Sequence, residues 1–184
     1  MKGVIFTEFL EFVEERFGAE RATHLVEALD RPSRGRYSPM GNYDHAELQQ
    51  LIAQLGASQG VSAAELTRRF GIHLFHRFAA LYPAFVVGAE SVIEFMSGIE
   101  SYIHGELRKL YPDAEFPSFE CRETGSGRLE MVYRSRRGLA DLAEGLILGC
   151  AAHFGEVVEL QREDLHGGDR QAVRFSLVSR ASQH

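Results

Sequence analysis

Hydrophobic residues change their spacing near Pro112, and this change restricts the possible folds more than any other feature of the sequence. Before Pro112, apolar side chains recur every three or four residues, which is typical of one face of an α-helix. Further along, several short segments alternate apolar and polar side chains, as in Val173–Val178, and this period of two predicts β-strands. The sequence therefore predicts an α+β fold, with a helical N-terminal half followed by a four-stranded, mostly antiparallel sheet that carries helices.

The individual elements follow from this periodicity and from signals at their ends. The predicted helices cover residues 3–17, about 19–29, about 44–55, 62–82, 92–111 and 139–154, and the predicted strands cover 119–122, 129–133, 157–161 and 173–178. Ser62 and Glu65 have the spacing of a capping box at the start of the fourth helix. We expect the 184 residues to form one domain, with a helical lobe over about 1–60 and a sheet lobe over about 61–184.

The overall charge excludes some classes of partner. A formal net charge of −6 and the lack of a basic run argue against nucleic acid and against an anionic membrane surface. The first helix carries glutamates that interrupt any signal-peptide core, and no run of about 18 apolar residues occurs. We therefore expect a cytoplasmic protein with neither a nucleic acid nor a membrane as partner.

His104 is a candidate ligand-binding residue on the fifth predicted helix. It lies next to Ile103, at the edge of an apolar stripe made by Val92, Met96, Ile99, Ile103, Leu107 and Leu110. A neutral imidazole in this position can face an apolar cavity and bind a haem iron. The alternative is a histidine at the edge of the core that is hydrogen-bonded to a neighbour, and the helix alone favours that interpretation.

A second candidate site lies at the end of the second predicted strand. In an extended segment, Tyr133, Ser135 and Arg137 send their side chains to the same face. Two hydroxyl groups and a guanidinium group can bind carboxylates or phosphates, although the spacing alone favours a strand end with incidental polar residues. Combined with His104, however, the motif predicts haem, a flat apolar ligand with an iron and two carboxylates. Neither cysteine lies in a CxxCH motif, so the haem would be haem b, bound without a covalent link.

Small residues on the last predicted helix leave room for a close neighbour. Ala143, Gly145 and Gly149 create shallow places on its surface. Either a flat ring or another backbone could approach there.

Several segments of the chain resemble the haem nitric oxide/oxygen binding (H-NOX) family, which consists of bacterial gas sensors related to the haem domain of soluble guanylate cyclase. The resemblance runs from Met1 to near the C-terminus, and its most specific element is the pairing of His104 with the Tyr-x-Ser-x-Arg motif. The segments that carry it are MKGVIF (1–6), GNY (41–43), HLFHRFAALYP (73–83), IHGELRKLYPDAEFPSFEC (103–121) and YRSRRGLADLAEGLI (133–147). This similarity implies the H-NOX fold, with haem between the two lobes.

The resemblance also implies a role for particular residues. His104 would be the proximal iron ligand, and Tyr133, Ser135 and Arg137 would hold the haem propionates. Ile5, Phe78 and Leu146 match positions that line the haem cavity, and Pro117 matches a proline that presses on the macrocycle. Leu142 occupies the position where oxygen-binding members carry a distal tyrosine, and Phe9 occupies another distal position. We therefore expect NO and CO, but not dioxygen, to form stable complexes.

The same similarity implies a sensor that acts on another protein. NO binding would release His104 from a five-coordinate ferrous haem, and a sensor histidine kinase or a cyclic-di-GMP enzyme would be the effector. The spacing of residues favours no nucleophile or acid/base pair, so we do not expect an enzyme. A haem-redox or oxygen sensor of the same fold, or a haem-free interaction scaffold, are the alternatives. Some relatives bind zinc through cysteines near the last hairpin, but this chain has only His166 there, so we expect no zinc.

Overall fold

The computed structural model describes residues 1–29, 33, 35–165 and 171–181. The helices are α1 Gly3–Phe17, α2 Ala19–Glu27, α3 His45–Gln59, α4 Ala63–Leu81, α5 Val92–Ser97, α6 His104–Leu110 and α7 Ala140–His153. The strands are β1 Ser118–Gly125, β2 Arg128–Ser135, β3 Glu156–Leu165 and β4 Gln171–Ala181. The predicted α+β fold is confirmed, and each strand extends beyond its predicted range.

The four strands form one antiparallel sheet in the order β1-β2-β4-β3. Strand β2 therefore lies inside the sheet, where it pairs with β1 on one side and with β4 on the other. Tyr133 of β2 lies between Phe119 and Val173, and all three side chains are buried on the inner face. The turn predicted between β3 and β4, residues 166–169, lies outside the described residues.

Helices α4 and α7 pack closely against each other on the inner side of the molecule. A Cβ atom added to Gly145 would lie 2.9 Å from the Cα atom of Gly71, and one added to Gly149 would lie 2.8 Å from the Cβ atom of Phe75. At Gly145 and Gly149 the close neighbour is therefore α4, whereas Ala143 lies in the wall of a cavity.

The predicted helix over 92–111 is not continuous, and this prediction was wrong. Helix α5 ends at Ser97, a wider π-helical turn covers Ile99–Ile103, and α6 begins at His104. In this turn the backbone N–H of His104 donates to the carbonyl oxygen of Ile99, five residues earlier, instead of four. The last member of the predicted apolar stripe, Leu110, lies at the surface and is 52% exposed.

Buried side chains form two clusters, one among α1, α3 and the first half of α4, and one between the sheet and α7. Helix α4 contributes to both, through Phe70 and Leu74 on one side and Phe75 on the other. Its start is capped as predicted, because the Ser62 hydroxyl accepts from the Glu65 N–H at 3.2 Å. The Glu65 carboxylate instead binds Arg68 and Arg69. Within the described residues, none of the helices combines the length and the apolar character needed to cross a membrane.

Candidate functional site

A cavity of about 240 Å³ lies where α1, α4, α6 and α7 approach the sheet. A single water molecule takes up about 30 Å³ in the liquid, so this space is much larger than a packing defect. Residues 4 and 5 of α1, 74–79 of α4 and 142–147 of α7 contribute side chains to its wall, and those that line it are all apolar. The cavity is therefore suited to a large apolar ligand.

His104 lies in the wall of this cavity and is 7% exposed. Its Nδ1 atom lies 3.1 Å from Oε2 of Glu100. Burial lowers the pKa of the imidazole although the Glu100 carboxylate raises it, so the ring is neutral near pH 7. A carboxylate can only accept a hydrogen bond, so a neutral ring donates through Nδ1–H and keeps the lone pair of Nε2 for a metal.

Glu100 itself is held by two further groups. Its Oε1 atom accepts from Nη2 of Arg108 at 2.6 Å, and its Oε2 atom also accepts from the backbone N–H of Phe119 at 3.2 Å. Burial opposes ionisation of this carboxyl group, but the hydrogen bonds from Arg108 and His104 lower its pKa overall. The His104 ring thus faces an ionised and fixed acceptor.

Two phenylalanine rings flank the imidazole. The ring centroids of Phe116 and Phe119 lie 5.1 and 5.7 Å from that of His104. Pro117, between them in the chain, also lines the cavity. The start of β1 and the segment before it therefore form the proximal side of the cavity together with α6.

Tyr133, Ser135 and Arg137 reach the same cavity from the sheet. Ser135 is the last residue of β2, so Arg137 lies in the bend after the strand and not within it, and its backbone N–H donates to the Ser135 hydroxyl at 3.1 Å. The Arg137 guanidinium donates to the carbonyl oxygen of Glu115 at 2.7 Å. Burial raises the pKa of Tyr133, so this hydroxyl remains a neutral donor. The structure thus places these three polar side chains in the wall of the cavity that His104 also lines.

The predicted wall residues divide into two groups. Ile5, Phe78, Leu142 and Leu146 line the cavity, as does Pro117. Phe9 is not among the lining residues, and its expected distal position stays a prediction. It is fully buried in the helical cluster, where its ring packs edge-on against Phe70 at 5.1 Å. One helical turn beyond Ile5, its side chain points into the packing between α1 and α4.

The sequence analysis missed Glu100, Arg108 and a pair of tyrosines. Glu100 and Arg108 lie four residues before and four after His104, a helical spacing that could have revealed them. Tyr82 and Tyr111 also line the cavity, and their hydroxyl oxygens lie 3.2 Å apart. No local pattern links these two, because they come from the ends of different helices.

The residues present fit a haem. The cavity offers an apolar wall for the ring, a neutral imidazole with an available Nε2 for the iron, and hydroxyl and guanidinium donors for two carboxylates. Among the described residues no cluster of three or more potential metal ligands occurs.

Comparisons with known proteins identify similar sequences and structures. The family model described as Haem-NO-binding matches residues 2–162. The unliganded Fe(II) H-NOX protein from K. algicida is 33% identical, with a TM-score of 0.91 over 100% of this chain and 99% of that one. The H-NOX protein from Shewanella woodyi, solved with IWP-051 in the Fe(II)CO state, is 36% identical, with a TM-score of 0.82 over 97% and 94%. The H-NOX protein from S. oneidensis in the Fe(II)NO state is 25% identical, with a TM-score of 0.84 over 96% and 99%. No curated protein matches the chain.

Proposed function

The chain belongs to the haem-NO-binding (H-NOX) family, and on that premise we propose that it is a sensor that binds NO and CO at a ferrous haem b. The observation that carries this proposal is the placement of His104 and of Arg137 on the wall of one apolar cavity. Relatives solved with NO and with CO support the choice of gases.

Different residues of the chain would bind different parts of the haem. His104 would coordinate the iron through Nε2, and Tyr133, Ser135 and Arg137 would bind the propionates. The haem would supply the iron at which the gas binds. Ile5, Phe78 and Leu146 would cover the ring with apolar surface, and Pro117 would press on it from the side of His104.

The apolar wall also explains the choice of gas. Dioxygen needs a hydrogen-bond donor beside it because it takes on negative charge, whereas NO and CO need much less. The wall residues within α1, α4 and α7 supply no side-chain donor, and Leu142 is one of them. The Tyr82 hydroxyl, directly after α4, is paired with the Tyr111 hydroxyl. We therefore assign NO and CO, and not dioxygen, as the ligands.

Signalling follows from release of His104. His104 would hold α6 to the iron of a bound haem, so that loss of this bond would free α6 to move relative to β1. This movement transmits a signal only if a partner binds the two states with different affinity. We propose that this partner is a separate protein, either a sensor histidine kinase or a cyclic-di-GMP enzyme.

An enzymatic role is not part of the proposal. H-NOX domains are sensor domains, and the two thiol groups are poor nucleophiles here. Burial raises the pKa of Cys121 to about 11 and raises that of Cys150 further, so neither is a thiolate near pH 7.

Other expectations from the sequence stay predictions. These are the lobe boundary near residue 60, the cytoplasmic location, and the lack of nucleic acid and membrane partners. The expected absence of zinc depends on the lack of a cysteine near the last hairpin and also stays a prediction, while His166 lies outside the described residues.

Absorption spectra of the reduced protein without gas, in air, with CO and with NO test the proposal. We expect haem uptake and spectral shifts with CO and NO, but no stable oxy-haem spectrum in air. A stable oxy-haem spectrum in air would support the oxygen sensor, and failure to take up haem would support the scaffold. The His104→Gly variant should lose the axial ligand and recover it with added imidazole, whereas His76→Gly, at an exposed site on α4, should behave as wild type. If His104→Gly regulates the effector as the unliganded ferrous protein does, the release mechanism is wrong.

A further inference from the structure

We infer that Glu100 is a positioning residue that sets how strongly His104 binds the haem iron, and that Arg108 opposes it. This inference rests on the proposed function, because it concerns the bond between His104 and the iron. The group in question is the Glu100 carboxylate, which contacts Nδ1 of His104, whereas Nε2 is the atom proposed to bind the iron.

Glu100 has the contacts of a fixed acceptor. Its Oε2 atom lies 3.1 Å from Nδ1 of His104 and 3.2 Å from the backbone nitrogen of Phe119. The N–H of Phe119 belongs to β1, so it holds the carboxylate from a different element of the fold. If the Glu100 side chain turned away from His104, it would also lose the hydrogen bond from Phe119, which links the segment before α6 to strand β1.

The chemistry of a hydrogen-bonded imidazole gives this contact a consequence for the iron. A carboxylate that accepts from Nδ1–H draws negative charge onto the ring, and Nε2 becomes a stronger donor to a metal. It also fixes the tautomer and the orientation of the ring. Glu100 thus strengthens the same bond whose release would carry the signal.

Arg108 limits this effect from the other carboxylate oxygen. Its Nη2 atom donates to Oε1 of Glu100 at 2.6 Å and so withdraws part of the negative charge that His104 would otherwise receive. Glu100, His104 and Arg108 lie four residues apart in turn, across the junction between the π-helical turn and α6. Such π-helical turns occur frequently at functional sites.

A purely structural role for Glu100 gives different expectations. If it only joins α6 to β1, then removing the charge of Glu100 and removing Arg108 would both loosen the junction and change the iron bond in the same direction. If it positions and polarises His104, the two substitutions change that bond in opposite directions. This difference in sign separates the two roles.

The experiment compares Glu100→Gln, Arg108→Met and a control, Glu106→Gln, in the haem-loaded ferrous protein. Glu106 lies on α6, as His104 and Arg108 do, but its carboxylate pairs with Lys109 and not with His104. The readouts are the iron–histidine stretching frequency from resonance Raman spectra and the reduction potential of the haem. A third readout is the rate of haem transfer to an acceptor protein.

For Glu100→Gln we expect a lower stretching frequency, a higher reduction potential and about tenfold faster haem loss, because the neutral amide polarises the ring less. For Arg108→Met we expect a higher frequency and a lower potential, and for Glu106→Gln we expect the wild-type values. Wild-type values in both Glu100→Gln and Arg108→Met, or shifts in the same direction, would overturn the inference while the proposed function stands. A wild-type protein that takes up no haem would overturn both.

Discussion

The Lys2 ammonium nitrogen lies 2.7 Å from the Asp113 carboxylate, and this ion pair connects the start of helix α1 to the segment directly after α6. The side-chain amide of Asn42 donates to the same carboxylate at 2.5 Å. The helix that carries His104 is thus tied at its C-terminal end to the N-terminal helices. A movement of α6 would therefore also strain this connection.

The Lys2–Asp113 pair predicts a specific dependence of stability on pH. The hydrogen bond from Lys2 lowers the pKa of Asp113 from its usual value to about 2. Because the folded state has the lower pKa, the stabilisation is present above about pH 4 and is lost as the pH falls through about 2. We expect Asp113→Asn to lower the free energy of unfolding at pH 6, and the difference from wild type to disappear between pH 4 and pH 2.

Urea unfolding at several pH values measures this difference. Glu159→Gln serves as the control, because the exposed Glu159 carboxylate lies 3.9 Å from Arg180, at the limit of an ion pair. The same difference between wild type and Asp113→Asn at pH 2 and at pH 6 would contradict the prediction.

Substitution of Arg137 tests its proposed role in binding the haem propionates. Loss of a charged hydrogen bond costs about 1.5–3 kcal/mol, so Arg137→Ala should weaken haem binding about 10- to 100-fold. Arg136→Ala is the matched control, because Arg136 is an exposed neighbour that does not line the cavity. Haem titration followed by absorption measures both affinities. Equal loss in the two variants would mean that net charge, and not the position of the guanidinium group, governs binding.

A hydroxyl group at position 142 should change the choice of gas. Leu142 lines the cavity and is 9% exposed, so a tyrosine there would place its hydroxyl among apolar neighbours. We expect Leu142→Tyr to gain affinity for dioxygen by about tenfold or more, since one hydrogen bond to a charged acceptor contributes about 1.5–3 kcal/mol. Leu142→Phe adds similar bulk without the hydroxyl and should bind no more dioxygen than wild type. Spectra in air distinguish them, and a similar gain in both variants would assign the effect to bulk.

The close approach of α4 and α7 predicts the effect of a single methyl group. In Gly145→Ala the new Cβ atom would collide with the backbone of α4 near Arg68 and Gly71. Overpacking of this kind costs about 1–3 kcal/mol, which lowers Tm by about 2–12 °C in a chain of this size. In Gly105→Ala the new methyl group meets no described atom within 4 Å, and alanine favours the helix, so Tm should stay or rise. Thermal unfolding by circular dichroism measures both, and an unchanged Tm in Gly145→Ala would contradict the observed packing.

The elements that follow a simple repeat were predictable from local residues. The capping of α4 by Ser62 depends on neighbours three residues apart, and the inner face of β2 depends on a period of two. The pairing of Tyr133 with Phe119 and Val173 needed the sheet as well, because those partners come from other strands. The contact of Phe9 with Phe70 also needed the tertiary structure, because Phe70 belongs to α4.

By itself, the sequence determined which residues could do the chemistry. The imidazole beside an apolar stripe and the Tyr-x-Ser-x-Arg motif can both be recognised from side-chain types and from the spacing of nearby residues. Neither depends on the rest of the fold. The tertiary structure alone decided how these groups act together. It interrupted the His104 helix with a π-helical turn, and it brought the Phe119 N–H of a strand to the carboxylate of Glu100. Such contacts join residues far apart in the chain, and they form only when the burial of the whole core has brought the helices and the sheet together.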